Sequence, residues 1–138
     1  MKETIAIVGG TGSMGTGLAY RFLKAGYRVW LGSRSVERAQ DAAGALAARL
    51  KDASVTGASN ADATAAADVI VITVPYEHHG ATLQEIRSKV QGKLVVDATV
   101  PLRPPKVGRV QLPASGSAAT EASRAAAGRS AARKRNAP

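Results

Sequence analysis

Six residues near the N-terminus, Gly10-Thr11-Gly12-Ser13-Met14-Gly15, follow the pattern G-x-G-x-x-G. Each glycine has a physical task where a strand turns into a helix over a phosphate. Gly10 permits the tight turn, Gly12 lacks the Cβ that would hold a pyrophosphate off the backbone, and Gly15 lets the helix pack closely on the strand. The first N–H groups of the helix and the positive end of its dipole then face the anion. A glycine-rich turn without a ligand carries the same letters, so context decides. Here Thr4-Ile5-Ala6-Ile7-Val8 reads as a buried strand ahead of the glycines. Behind them Met14, Leu18 and Phe22, with the offset pair Ala19 and Leu23, recur at helical spacing.

The tip of the next strand sets which dinucleotide fits. An NAD site usually places an acid there to accept from the ribose hydroxyls. In this chain the segment is Leu31-Gly32-Ser33-Arg34, with no carboxylate. Arg34 can grip a ribose 2′-phosphate bidentately and stack on adenine, and an acid at its place would repel that phosphate. Ser33 can donate its hydroxyl, Arg38 stands one helical turn beyond Arg34, and Thr11 can reach the same phosphate. The plain alternative is an exposed arginine at a solvated helix start. The pattern favours NADP(H) over NAD(H).

A third block, Thr73-Val74-Pro75, ends a strand at the sheet's carboxyl edge, where a cofactor would cross the backbone and Pro75 would stiffen the turn. Tyr76-Glu77-His78-His79 follows. Adjacent histidines diverge on a helix and no third ligand is evident, so no metal is expected. A histidine at the helix start contacting cofactor and a plain surface pair both stay open, the surface pair being the default. Asp97 closes a later strand, as a loop cap or a site residue. Val100-Pro101 continues along the same edge, within reach of a nicotinamide.

The elements needed to hold these residues can be read from apolar patterning. Strands are expected at 4–8, 27–31, 68–74 and 93–97, with a short one at 54–56. Gly26 closes the first helix, and Ser35 caps a second whose inner face is Val36, Ala39, Ala43, Leu46 and Leu50. Asn60 caps a brief helix through Ala67. Another runs from 76 to 90 with Leu83, Ile86 and Val90 inward. Alternation of strand and helix implies right-handed crossovers. The result is an α/β, doubly wound parallel sheet of the Rossmann type, order 3-2-1-4-5, ending after about five strands.

Length and composition bound the remainder. The 138 residues suffice for one core, expected over 1–112. There is no cysteine, and no apolar run approaches the roughly 20 residues that span a bilayer. Met1-Lys2 leads straight into a strand pattern without a signal peptide, so a cytoplasmic protein is expected. The net charge of +9 would suggest nucleic acid, but residues 113–138 alone hold five basic and one acidic side chain. No aromatic interleaves with the basic residues, so nucleic-acid binding is not expected. Of the last 26 residues, 22 are Ala, Arg, Ser, Gly or Pro. Such a tail buries too little to order itself, and 113–138 is expected to be disordered.

Taken together, Gly9 to Gly15, Gly32-Ser33-Arg34 and Thr73 to His78 resemble the NADP-binding half of the NADPH-dependent coenzyme F420 reductases. The spacing between blocks agrees, and the likeness covers residues 1 to about 112. It implies reversible hydride transfer between NADP(H) and the 8-hydroxy-5-deazaflavin of coenzyme F420. It further implies that Thr11, Gly12, Ser13 and Met14 hold the pyrophosphate, that Ser33, Arg34 and Arg38 hold the 2′-phosphate, and that Pro75, His78 and Val100 border the nicotinamide half. Thr73 and Val74 carry the backbone beneath. No acid, base or nucleophile is implied, because both cofactors carry the reacting atoms.

Members of that family continue with a sixth strand and a smaller C-terminal region, and here the Ala/Arg/Ser tail stands in that place. An out-of-frame ending from GC-rich coding DNA would give such a composition. Two other readings therefore stay open. One is a pyrroline-carboxylate or imine-type reductase, which needs its own helical domain; the other is a catalytically silent NADP-binding module. An open sheet edge would also favour association into a homo-oligomer.

Overall fold

A computed structural model describes residues 2–100, together with positions 114, 120, 123 and 124. Pro101, the boundary after 112 and the tail apart from those four positions lie outside the described residues. Five strands form one parallel sheet: β1 (Thr4–Val8), β2 (Arg28–Ser33), β3 (Val55–Ser59), β4 (Val69–Ile72) and β5 (Leu94–Asp97). Their order is β3-β2-β1-β4-β5, as the alternation of elements requires. Four α-helices connect them: α1 (Ser13–Lys24), α2 (Val36–Arg49), α3 (Asn60–Ala66) and α4 (Tyr76–Ile86).

Side chains alternate across the strands, so the sheet carries two cores. Ile5, Ile7, Val29, Leu31 and Val71 meet Ala19 and Leu23 of α1 and Ala43 and Leu46 of α2. Ala6, Val8, Ala58, Ile70 and Ile72 meet Ala63 of α3 and Leu83 and Ile86 of α4. The doubly wound arrangement follows from this two-sided burial. Among the described residues one face of β5 is bare: Leu94 is 63% exposed and Val96 45%, with no described helix over them.

The ends of α1 and α2 show how local signals set the elements. Ala25 is the C-cap of α1, and Gly26 follows it at φ +90°. Gly26 N–H donates to Leu23 O and Tyr27 N–H to Phe22 O, while the Phe22 and Tyr27 rings meet edge to face at 6.0 Å. This is a Schellman closure with its hydrophobic contact. Ser35 caps α2 as expected, its side chain accepting from Arg38 N–H. Two residues expected on inner faces are not there: Met14 is 54% exposed and Val36 44%. Both sit in the first turn of a helix, which overhangs the carboxyl edge of the sheet, so neither has a strand beneath it.

Three further differences have steric or hydrogen-bonding causes. The third strand runs to Ser59, well beyond the expected 54–56, because its ladder with β2 continues to Ser33↔Ser59, and Gly57 within it lies against the backbone of α2. A Cβ on Gly57 would stand 2.3 Å from the carbonyl carbon and oxygen of Ala39. The cap of α3 is Ser59, accepting from Asp62 N–H, and Asn60 is the first helical residue with its side chain turned inward. The last helix stops at Ile86 and tightens into a 3-10 turn over Arg87–Lys89, though Val90 is still buried.

Gly57→Ala should lower stability by about 2 kcal/mol, since backbone cannot give way to an added methyl. Gly17→Ala in the middle of α1, where a Cβ meets nothing within 4 Å, should raise it by about 0.5–1 kcal/mol. Urea unfolding midpoints of the two variants check the pair.

Candidate functional site

The turns after β1, β2, β4 and β5 all open at the carboxyl edge of the sheet, around the switch point between β1 and β4. They enclose a cleft of about 880 Å³, within the range of small-molecule and cofactor sites. Of the residues singled out by sequence, the cleft is lined by Thr11, Gly12, Ser13, Met14, Ser33, Arg34, Arg38, Thr73, Val74, Pro75, His78 and Val100. Gly10 is the exception. It lies buried behind the turn, its N–H donating to Gly32 O, where a Cβ would press on Ile7 O at 2.7 Å.

The glycine turn is held from several sides. Gly9, not Gly10, adopts positive φ at +72°, and a Cβ there would stand 2.4 Å from Val74 Cγ1. Gly15 stacks on Gly10, with a Cβ position 2.5 Å from Gly10 Cα. Gly12 is the N-cap of α1, has no side-chain cap, and faces open space where its Cβ would be. No acid stands in the first turn of α1. Thr73 leaves the β4 ladder to tie this turn down: its N–H and hydroxyl both donate to Val8 O, and the hydroxyl also reaches Gly9 O.

Sequence reading missed Asn60. The residue is 1% exposed, its Oδ1 accepts from Gly9 N–H at 3.2 Å, and its Nδ2 donates to Glu85 Oε2 at 3.3 Å. Gly32 must stay small beside it, because a Cβ would lie 2.8 Å from Asn60 Oδ1. The only signal in the sequence is an asparagine directly after a strand, which capping rules explain away.

At the tip of β2, Ser33 is buried and its hydroxyl oxygen accepts from Ser35 N–H at 3.1 Å, leaving its proton to donate. Arg34 and Arg38 are exposed on the same rim. This corner of the cleft is cationic and carries serine hydroxyls.

The two histidines diverge, as their spacing demands. His78 lines the cleft, with its Nε2 3.5 Å from Glu77 Oε1. His79 is not the surface residue that was the default reading. It is 1% exposed, stacks against Tyr76, and its Nε2 lies 2.6 Å from Asp97 Oδ2. Asp97 is thus both cap and buried partner, because its Oδ1 accepts from Thr99 N–H at 2.9 Å. Among the described residues, no three His, Cys, Asp or Glu side chains converge as metal ligands would.

Burial alone would raise the Asp97 carboxyl. The hydrogen bonds from His79 and Thr99 N–H, with the charge of a protonated His79, outweigh it and hold the group below its ordinary 3.8.

This Rossmann-like α/β fold is shared by solved dehydrogenases and reductases. It superposes on an L-lactate dehydrogenase from Enterococcus mundtii with TM-score 0.61 at 20% identity, covering 84% of this chain and 44% of that one. A pyrroline carboxylate reductase from Plasmodium falciparum, solved with NADP bound, gives TM-score 0.54 at 20% identity, covering 77% and 37%. Residues 4–101 match the family described as NADP oxidoreductase, coenzyme F420-dependent, and the chain belongs to that family. An F420-dependent NADP reductase of Methanothermobacter thermautotrophicus is 50% identical over 104 residues, 74% of this chain and 45% of that protein. One of the same name from Methanocaldococcus jannaschii is 39% identical over 102 residues, 71% and 45%. The chain therefore spans about half the length of these relatives. Among the described residues, no helix is long and apolar enough to cross a membrane.

A carboxyl held low in the folded state stabilises fully above its unfolded value and loses that contribution as pH falls through the folded one. As pH falls through and below the ordinary 3.8, wild type should therefore lose more unfolding free energy than Asp97→Asn. Urea titrations along that range, with equal slopes for the two proteins, would exclude the pair as a source of acid lability.

Proposed function

We propose that this chain holds NADP(H) for an oxidoreductase that passes hydride reversibly between the nicotinamide and the deazaflavin ring of coenzyme F420. The observation that carries the reading is the cationic, acid-free tip of β2, where Ser33, Arg34 and Arg38 border the same cleft as the glycine turn. Family identity at 39–50% supports F420 as hydride partner over the imine-type alternative, since the pyrroline carboxylate reductase at 20% identity shares the fold alone. The same kinship favours a working reductase over a silent module.

The residues present fit such a cofactor. Gly12 leaves room for a pyrophosphate beside the uncapped start of α1, where amide N–H groups favour an anion. Arg34 and Arg38 would take the 2′-phosphate, with Ser33 and Thr11 donating hydroxyls to it. Thr73 and Val74 would carry the backbone beneath the cofactor, and Pro75, His78 and Val100 would border the nicotinamide half. When bound, the nicotinamide and the deazaflavin supply the hydride chemistry between them. The chain's own work would be to orient one ring face and keep water from it. Location in a reducing cytoplasm agrees with a chain that lacks cysteine. The bare apolar strip of β5 supports self-association.

Arg34→Ala should weaken NADPH binding by about 1–3 kcal/mol, the scale for a hydrogen bond to a charged group, and leave NADH nearly unchanged. Fluorescence titration measures both, and equal losses would sink the 2′-phosphate assignment. Mixing the chain with NADPH and oxidised F420 tests turnover: loss of deazaflavin absorbance above a cofactor-only control is expected. Tight binding without turnover would confine the function to holding the cofactor.

A further inference from the structure

We infer that the buried His79–Asp97 pair is a positioning device that sets the nicotinamide-side wall of the cleft. The inference rests on the dinucleotide reading and extends it to two residues that do not line the cleft themselves.

Three observations carry it. Each partner adjoins cleft-lining residues. Tyr76, Glu77 and His78 directly precede His79, and Ala98, Thr99 and Val100 directly follow Asp97. The bond at 2.6 Å therefore joins the start of α4 to the end of β5 immediately behind the wall. Second, Asp97 divides its oxygens: one takes His79, the other orders the next turn through Thr99 N–H. That turn is tied back to β4 by Ala98 N–H to Ile72 O and by the Thr99 hydroxyl to Val74 O. The walls after β4 and β5 are thereby one unit. Third, both side chains are almost fully enclosed, at 2% and 6% exposure. An apolar pair of similar volume would stabilise the fold at least as well. What histidine and aspartate add is direction, because a hydrogen bond fixes the relative placement of two elements where apolar contact permits sliding.

The adenosine end is built from other parts, the β2 tip and the glycine turn, so the pair's influence should be confined to one half of the ligand. This separates positioning from general support of the fold. The full-length chain is titrated with NADPH and with adenosine 2′,5′-bisphosphate, which lacks the nicotinamide half. Asp97→Asn, His79→Phe and His79→Gln are compared with wild type, and thermal melts establish that each is folded. Asp97→Asn and His79→Phe should weaken NADPH about tenfold, the order expected for a lost charge-assisted hydrogen bond. Both should hold the bisphosphate within about twofold. His79→Gln keeps an N–H donor near the Nε2 position and should restore NADPH binding to near wild type. If Asp97→Asn does not fold, His79→Phe against His79→Gln decides. Equal losses for both ligands, unchanged NADPH affinity, or a Gln variant no better than Phe would each overturn the inference. A wild-type chain that binds neither ligand would instead refute the dinucleotide reading and remove the basis for this one.

Discussion

At Gly9 the chain turns with φ +72°, while Val74 Cγ1 occupies the place where any side chain would begin. The rest of the cleft depends on that turn. Its N–H is directed into Asn60, whose amide is enclosed and bonded onward to Glu85. Its carbonyl accepts from the Thr73 hydroxyl. Backbone from β1, the start of α3, and the exit of β4 therefore meet within one residue. A buried backbone group without a partner would cost on the order of a hydrogen bond, so these contacts also account for why a glycine loop can be rigid. Rigidity matters because an anion site made of amides works only if the amides already point the right way.

The same geometry explains how an open edge of the sheet becomes a cleft with two unlike ends. Parallel strands in register finish together, with Val8 opposite both Gly32 and Ile72. The loops that leave them must rise on either side of the switch point. On the β2 side the exit carries serines and exposed arginines; on the β4 and β5 side it carries Val74, Pro75, Ala98 and Val100. One end is suited to phosphate and the other to a flat, weakly polar ring. The hydrogen bond on the second side between His79 and Asp97 is kept behind the wall.

Legibility from sequence tracked the physics that is local. Buried parallel strands show as apolar runs, so β1, β4 and β5 were visible as Ile5-Ala6-Ile7-Val8, Val69-Ile70-Val71-Ile72 and Leu94-Val95-Val96, and their alternation with helices gave the strand order. Glycines with fixed offsets and an acid-free β2 tip brought most of the cleft-lining residues into view. What stayed hidden is set by neighbours distant in the chain. Gly57 pairs with Leu31 of β2 and lies so close to Ala39 of α2 that a Cβ has no room there. Asn60 serves a glycine 51 residues away, and its sequence position imitates a cap. His79 and Asp97 look like surface and loop residues until the sheet brings α4 over β5. Met14 and Val36 fit an apolar period but fall where the helices outrun the strands.

Charge placement bears on how the β2 tip, on the proposed reading, would discriminate rather than merely attract. Arg34 and Arg38 are solvated, so their field is screened within about 10 Å at ordinary ionic strength. Non-specific attraction to any phosphate would be weak under those conditions. Recognition would then have to come from short-range, oriented bonds: a guanidinium fork and a buried serine hydroxyl whose oxygen is already engaged by Ser35 N–H. That engagement still leaves the Ser33 proton to donate. A 2′-phosphate accepts from such a donor and from the fork at once, whereas a bare ribose hydroxyl offers far less to either. An acid in place of Ser33 or Arg34 would reverse that order. On the proposed reading, selectivity at this site would follow from oriented donors at the end of β2 and not from the chain's overall basicity.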